Sequence, residues 1–144
     1  MRSLLDASVL IAFFDSKHTL NNRAHDWTAA NIKEGWASCP LTENAFVRIM
    51  SNPGYSRSRR FSIDDLMGLL REFIQKTDHE FWADDISILD DSFFVSGRIH
   101  GPRQITDLYL LALAAKHDGR LVTFDQSIPL SAVHGAKSAN LVTL

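Results

Sequence analysis

Short, strongly apolar runs separated by helix-length stretches constrain this chain more than any other feature. "RSLLD" (2–6), "WASCP" (36–40), "RLVTFD" (120–125) and "NLVTL" (140–144) read as strands, and "HEFWA" (79–83) reads as another. Too many residues lie between them for hairpins, so each connection is a crossover. Right-handed crossovers then set the strands side by side in a mainly parallel sheet covered on both faces. The expectation is one α/β domain over residues 1–144, with four or five strands.

The stretches between the runs carry helix signals. "SVLIAFFD" reads as a helix with Ser8 as its N-cap, and "NRAHDWTAANIKEG" as an amphipathic helix ended by Gly35. "TENAFVRIMSN" is expected to be capped by Thr42 and to end before Pro53. "SIDDLMGLLREFIQK" has Ser62 and Asp65 in capping-box spacing. "SILDDSFFVSGR" reads as a further helix, and "ITDLYLLALAAKHDG" as a long apolar one capped by Thr106 and closed by Gly119.

Four acids stand where a purely structural chain would not put them. Asp6 follows the leucines of the first strand, and burying an unpaired carboxylate is expensive. Asp125 follows "LVTF" in the same kind of position. Glu43 and Asp107 each begin a helix, with apolar neighbours at i+3, i+4 and i+7 (Phe46, Val47 and Met50; Leu110, Leu111 and Ala114), so each looks toward a core. First-turn acids also complement a helix dipole, and Asp125 also suits a turn before "QSIP". In parallel sheets ligands bind beyond the carboxyl ends of the strands, where all four could meet.

Carboxylates sharing a crevice repel, and some take up protons unless a cation holds them. An oxygen-only set suits Mg²⁺ or Mn²⁺, whereas zinc recruits Cys or His. No H-E-x-x-H or C-x-x-C spacing occurs. Such an ion suits phosphodiester hydrolysis by water, with no side-chain nucleophile. Ser8 and Thr123 either orient water or phosphate at such a site or serve as cap and strand residues.

"LLDASVLIA", "CPLTENAFVRIMSNP" and "ITDLYLLALAAKHDGRLVTFD" together resemble the PIN-domain ribonucleases of the VapC toxin type, across nearly the whole chain. The resemblance implies an α/β/α sandwich with a central parallel sheet and a metal-dependent endoribonuclease activity. It also implies a VapB-type antitoxin partner and dimerisation. The family's acidic positions fall on Asp6, Glu43, Asp107 and Asp125, and its small polar residue after the first acid falls on Ser8. Expected products carry 5′-phosphate and 3′-hydroxyl ends, with structured RNA, tRNA included, as substrate class. The antitoxin is expected to block the acidic crevice with an Arg or Lys and to lay a helix near "MGLLREF".

Other features bound the reading. The net charge of −2 does not advertise a polyanion binder, but acids gathered at one site would leave the remaining surface slightly basic. "SNPGYSRSRRF" places Arg48, Arg57, Arg59 and Arg60 near Tyr55, either to meet RNA phosphates and a stacked base or as a solvated loop. "RIHGPRQ" carries Arg98, His100 and Arg103 under the same two readings, while Asp84, Asp85, Asp90 and Asp91 read as a solvated face. Lone Cys39 is expected to pack as a small apolar residue in a reducing cytoplasm. Asp6 and Asp15 break the only candidate signal sequence, and no run reaches the ~18 apolar residues of a membrane span.

Two other function classes compete. A phosphoaspartate phosphatase or receiver also places an aspartate after its first strand. "DAS" lacks the second aspartate of a D-x-D motif, and no lysine follows "LVTF". A non-catalytic RNA- or protein-binding module on the same scaffold predicts RNA binding that survives chelation.

Overall fold

Alternating side chains of the short strands serve two cores at once, and this sets the architecture. The computed structural model describes residues 1–144. In chain order the elements are β1 (Ser3–Leu5), α1 (Ala7–Phe14), α2 (Asn21–Asn31), β2 (Trp36–Ser38), α3 (Pro40–Ser51) and α4 (Ile63–Lys76). There follow β3 (His79–Phe81), α5 (Ile105–Lys116), β4 (Arg120–Thr123) and β5 (Leu141–Thr143). The five strands form one sheet in the order β3-β2-β1-β4-β5, every neighbouring pair parallel. No helix is long and apolar enough to cross a membrane.

Leu4 pairs in register with Ala37 of β2 and Leu121 of β4, and all three pack on the face covered by α5. Leu5 pairs with Val122, and both pack with Trp36 on the opposite face, against Leu10, Phe46, Met50, Leu66 and Leu70 of α1, α3 and α4. Helix α5 is buried continuously from Leu108 to Ala114, which explains its all-round apolar sequence. Each fully buried leucine contributes roughly 1.5–3 kcal/mol relative to exposure. The outer strand β3, by contrast, leaves Glu80 and Phe81 exposed.

Several helix boundaries differ from the sequence expectation for local reasons. Asp6, not Ser8, takes the extended backbone of the N-cap of α1 (φ −61°, ψ 152°), so Ser8 lies in the first turn. Helix α3 starts at Pro40 with Cys39 as N-cap, and Thr42 reaches back to accept from the Cys39 N–H at 3.0 Å. Thr106 does not cap α5: a 3₁₀ turn over Pro102–Gln104 already holds the backbone helical, so the helix begins at Ile105. At its other end Asp118 takes the left-handed conformation (φ 52°). Gly119 is needed for space, because a Cβ there would sit 2.8 Å from the Arg2 carbonyl oxygen and the Trp82 ring.

The helix expected over 87–98 does not form. Its residues make turns, a 3₁₀ turn over Ser96–Arg98 and an isolated antiparallel bridge from Phe94 to Val133. Ser87 Oγ accepts from the Leu89 N–H at 3.1 Å, and Asp90 Oδ1 accepts from the Ser92 N–H at 2.9 Å and the Ser92 hydroxyl at 2.6 Å. These side chains supply the backbone with partners that compete with a helix.

The stretch after α3 is tied to the core through a buried carboxylate. Asp15 is 4% exposed; it accepts from the Tyr55 hydroxyl at 2.5 Å and from the Arg59 guanidinium. Burial pushes the Asp15 carboxyl up, but the bonds from Tyr55 and Arg59 outweigh it and hold the group below the usual range. Its contribution to stability is therefore present above the ordinary carboxylate range and is lost as pH falls through the depressed value. Tyr55→Phe should cost about 1–3 kcal/mol in urea unfolding at neutral pH, because it leaves a buried carboxylate oxygen unpaired. The gap between the variant and the parent should narrow as the pH drops below 4, and a neutral Tyr55→Phe would show that the network carries no stability.

Candidate active site

Asp6 ends β1 and opens α1, and its side chain declines the usual work of that position. An N-cap aspartate normally accepts a backbone N–H of its own helix, but Asp6 makes no such bond. Its Oδ2 instead accepts from the Ser8 hydroxyl at 3.0 Å and from the Thr123 hydroxyl at 2.8 Å, leaving Oδ1 uncommitted by these bonds. Thr123 is the last residue of β4, paired beside β1, and it is fully buried. Its Oγ1 also accepts from the Asp125 N–H at 3.1 Å, so one hydroxyl fixes both acids relative to the strand ends.

Asp125 is held in turn by Ser127, whose N–H and hydroxyl both donate to Oδ1 at 2.7 Å. Those bonds keep Asp125 below the usual carboxylate range. Asp107, in the first turn of α5, shares a side-chain hydrogen bond with Asp125 and feels the charges of Asp6 and Asp125. Burial first, then that bond and those charges, push its carboxyl up to about 7. Neighbouring acids with such different environments divide the labour: Asp125 stays ionised while Asp107 keeps a proton to near neutrality.

Glu43 stands apart from this trio. It lies in the first turn of α3, beyond β2, and its Oε1 accepts from the Ser38 hydroxyl at 2.6 Å. Ser38 is buried at the end of β2 and also meets His79 Nε2 at 2.8 Å. Glu43 is not among the charges that act on Asp107. Of the four acids expected to converge, the three aspartates act on one another, whereas Glu43 is held separately by Ser38 at the end of β2. No three His, Cys, Asp or Glu side chains stand in metal-coordinating geometry. The donor set still fits a hard divalent cation, since it offers only oxygens, and burial together with the adjacent Asp125 and Asp6 raises the Asp107 carboxyl to about 7 when no cation offsets the charge.

The arginine-rich stretch is partly committed to the fold. Arg59 pairs with Asp15, Arg60 donates to the Pro53 carbonyl at 2.6 Å, and Tyr55 is bonded to Asp15. Arg48 and Arg57 are exposed. Of the acidic pairs, Asp84 accepts from the Leu41 N–H at the start of α3 at 3.1 Å, and Asp85 pairs with Lys116 at 2.8 Å. Between α3 and α4 runs an apolar groove of about 400 Å³, lined by Val47, Met67, Leu70, Ile74 and Phe81, with Glu43 and Arg71 in its walls. Sequence reasoning missed Ser127, Ser38 and His79. The Asp-x-Ser spacing of Asp125 and Ser127 is a legible turn signal, whereas Ser38 and His79 lie 41 residues apart and meet only through the sheet.

Comparison with known proteins identifies the family. The family model described as PIN domain matches residues 3–133. Ribonuclease VapC44 of Mycobacterium tuberculosis is 48% identical over 144 residues, covering all of both chains. Ribonuclease VapC38 of the same organism is 40% identical over 126 residues, 88% of this chain and 86% of its own length. Ribonuclease VapC29 is 38% identical over 135 residues, 94% and 92% of the two chains. Matched over nearly its whole length and at these identities, the chain belongs to the PIN-domain family, among its VapC-type ribonucleases.

Proposed function

We propose that the protein is a Mg²⁺- or Mn²⁺-dependent endoribonuclease toxin that hydrolyses structured RNA, tRNA included, and is neutralised by a VapB-type antitoxin. The observation that carries the reading is the trio of Asp6 and Asp125, beyond the carboxyl ends of β1 and β4, with Asp107 in the first turn of α5. These three would hold the ion, with Glu43 alongside. When bound, the ion supplies a Lewis-acidic centre that lowers the pKa of a coordinated water and neutralises charge on the phosphate.

The chain's own residues prepare that site. Ser8 and Thr123 fix Asp6 through Oδ2, and Ser127 fixes Asp125 through Oδ1, so each aspartate keeps one oxygen free of those bonds. Fixing both carboxylates beforehand removes reorganisation at the moment of reaction. Exposed Arg48, Arg57, Arg98 and Arg103 are the candidates for RNA phosphates. The α3–α4 groove suits an amphipathic antitoxin helix, and Glu43 in its wall connects that helix to the acidic site. The single buried cysteine suits a reducing cytoplasm, and the family resemblance supports a homodimer.

Cleavage of RNA by the purified, partner-free protein tests the reading, with Mg²⁺, Mn²⁺ or EDTA and with product ends mapped. Wild type should cut at discrete sites only with a divalent ion, leaving 5′-phosphate and 3′-hydroxyl ends. Asp6→Asn and Asp125→Asn should each lose roughly 100-fold or more, beyond the 10–100-fold typical of outer-shell changes. Cleavage that survives EDTA, or 2′,3′-cyclic phosphate ends, would overturn it; RNA binding without turnover would favour a binding module. For the groove, exposed Met67 changed to Asp should weaken antitoxin binding roughly tenfold or more while leaving free-toxin cleavage intact. Undiminished antitoxin affinity would move the antitoxin site elsewhere.

A further inference from the structure

The reading of Glu43 as part of the active site raises the question of what holds its carboxylate. A glutamate has three rotatable side-chain torsions, and fixing them costs conformational entropy. Outside its own helix, Glu43 is bonded by a single hydroxyl, that of Ser38, at 2.6 Å. A serine hydroxyl has one proton. Since the Glu43 carboxylate can only accept, that proton goes to Oε1, and Ser38 Oγ must accept from the imidazole 2.8 Å away. His79 is therefore protonated on Nε2, and the three side chains form a one-way chain of donors, His79 to Ser38 to Glu43.

Each link is set by the scaffold. Ser38 is buried at the end of β2, and His79 opens β3, the neighbouring strand. The His79 ring packs on Trp36 with centroids 4.4 Å apart, and the Trp36 indole N–H is in turn bonded to Thr77 at 2.7 Å. Burial and the nearby Arg2 hold the imidazole below its usual range, which keeps it neutral at physiological pH. A neutral donor chain of this kind orients a carboxylate without adding charge to the site.

We propose that Ser38 and His79 are positioning residues for the ribonuclease reaction, fixing the Glu43 carboxylate through an ordered His79–Ser38–Glu43 hydrogen-bond chain. This inference rests on the proposed role of Glu43 in that active site. Neither residue touches the trio, and both act through Glu43 alone.

Three measurements on the full chain test it. Imidazole ¹H–¹⁵N correlation spectra should show His79 as the Nε2–H tautomer; an Nδ1–H tautomer would overturn the chain. Ser38→Ala should weaken Mn²⁺ binding in calorimetry, or lower kcat, by about 10-fold, with the KM for RNA little changed. His79→Phe keeps the ring on Trp36 but removes the donor, and should move the same parameters. His79→Gln keeps a donor near the Nε2 position and should lose less than His79→Phe.

Calorimetry on a double-mutant cycle separates positioning from general structural damage. In a Glu43→Gln background, Ser38→Ala should weaken Mn²⁺ binding little further. An equal loss in both backgrounds, or none in either, would overturn the inference while leaving Glu43 in the site. If Glu43→Gln alone binds Mn²⁺ and cleaves RNA like wild type, the reading of Glu43 itself fails. Should Ser38→Ala prove unfolded by circular dichroism, the comparison of His79→Phe with His79→Gln decides: equal losses would overturn the chain.

Discussion

The Thr123 hydroxyl joins the ends of two neighbouring parallel strands, donating to Asp6 beyond β1 and accepting from the Asp125 backbone beyond β4. Asp6 and Asp125 are both tied to that atom. Without it the Asp6 carboxylate keeps only Ser8, and the turn that presents Asp125 loses its anchor to the sheet. The hydroxyl is completely buried, so its bonds form in a low-dielectric setting where they are worth more than at the surface. The apolar pairing behind it, Leu5 against Val122, holds the two strands in the register that brings donor and acceptor together.

A fold that gathers carboxylates works against its own stability. Asp107 is pressed by burial first and then by Asp125 and Asp6, and the cost shows in the proton it retains to about 7. Asp107 sits on α5, the most buried helix of the chain, so it cannot swing away without disturbing the core from Leu108 to Ala114. The core thus converts hydrophobic burial into an electrostatic arrangement that solvent-exposed loops could not maintain. A cation offsets this repulsion, so the same crowding that costs stability favours binding of a hard divalent ion.

Much of the fold was legible because its signals are local. Apolar runs such as "LVTF" and the long helix-forming stretches fix strands and helices by composition and length alone, and Asp6 and Asp125 announce themselves by following such runs. The segment 87–98 misled because its apolar spacing resembles a helix, while Ser87 and Asp90 satisfy the local backbone themselves. Glu43 was legible as an acid facing inward, but not its partners, since Ser38 and His79 are brought together only by pairing of β2 with β3. Likewise the arginine-rich stretch gave no sign that Arg59 and Tyr55 turn back to Asp15, a contact across 44 and 40 residues.

The most direct test of the central claim is the thermal midpoint of wild type and Asp107→Asn at pH 8, each with and without Mn²⁺. A carboxyl whose folded-state pKa is raised stabilises the protein at low pH and loses that contribution as the pH rises through about 7. At pH 8 wild type should therefore carry the full cost of an ionised Asp107, its burial and its repulsion by Asp6 and Asp125, and Asp107→Asn should melt higher without metal, by roughly 3 °C per kcal/mol relieved. Mn²⁺ should raise the wild-type midpoint and do little for the variant. A variant that melts lower than wild type without metal, and gains as much from Mn²⁺, would contradict the account that the three aspartates form a repulsive cluster that binds a cation.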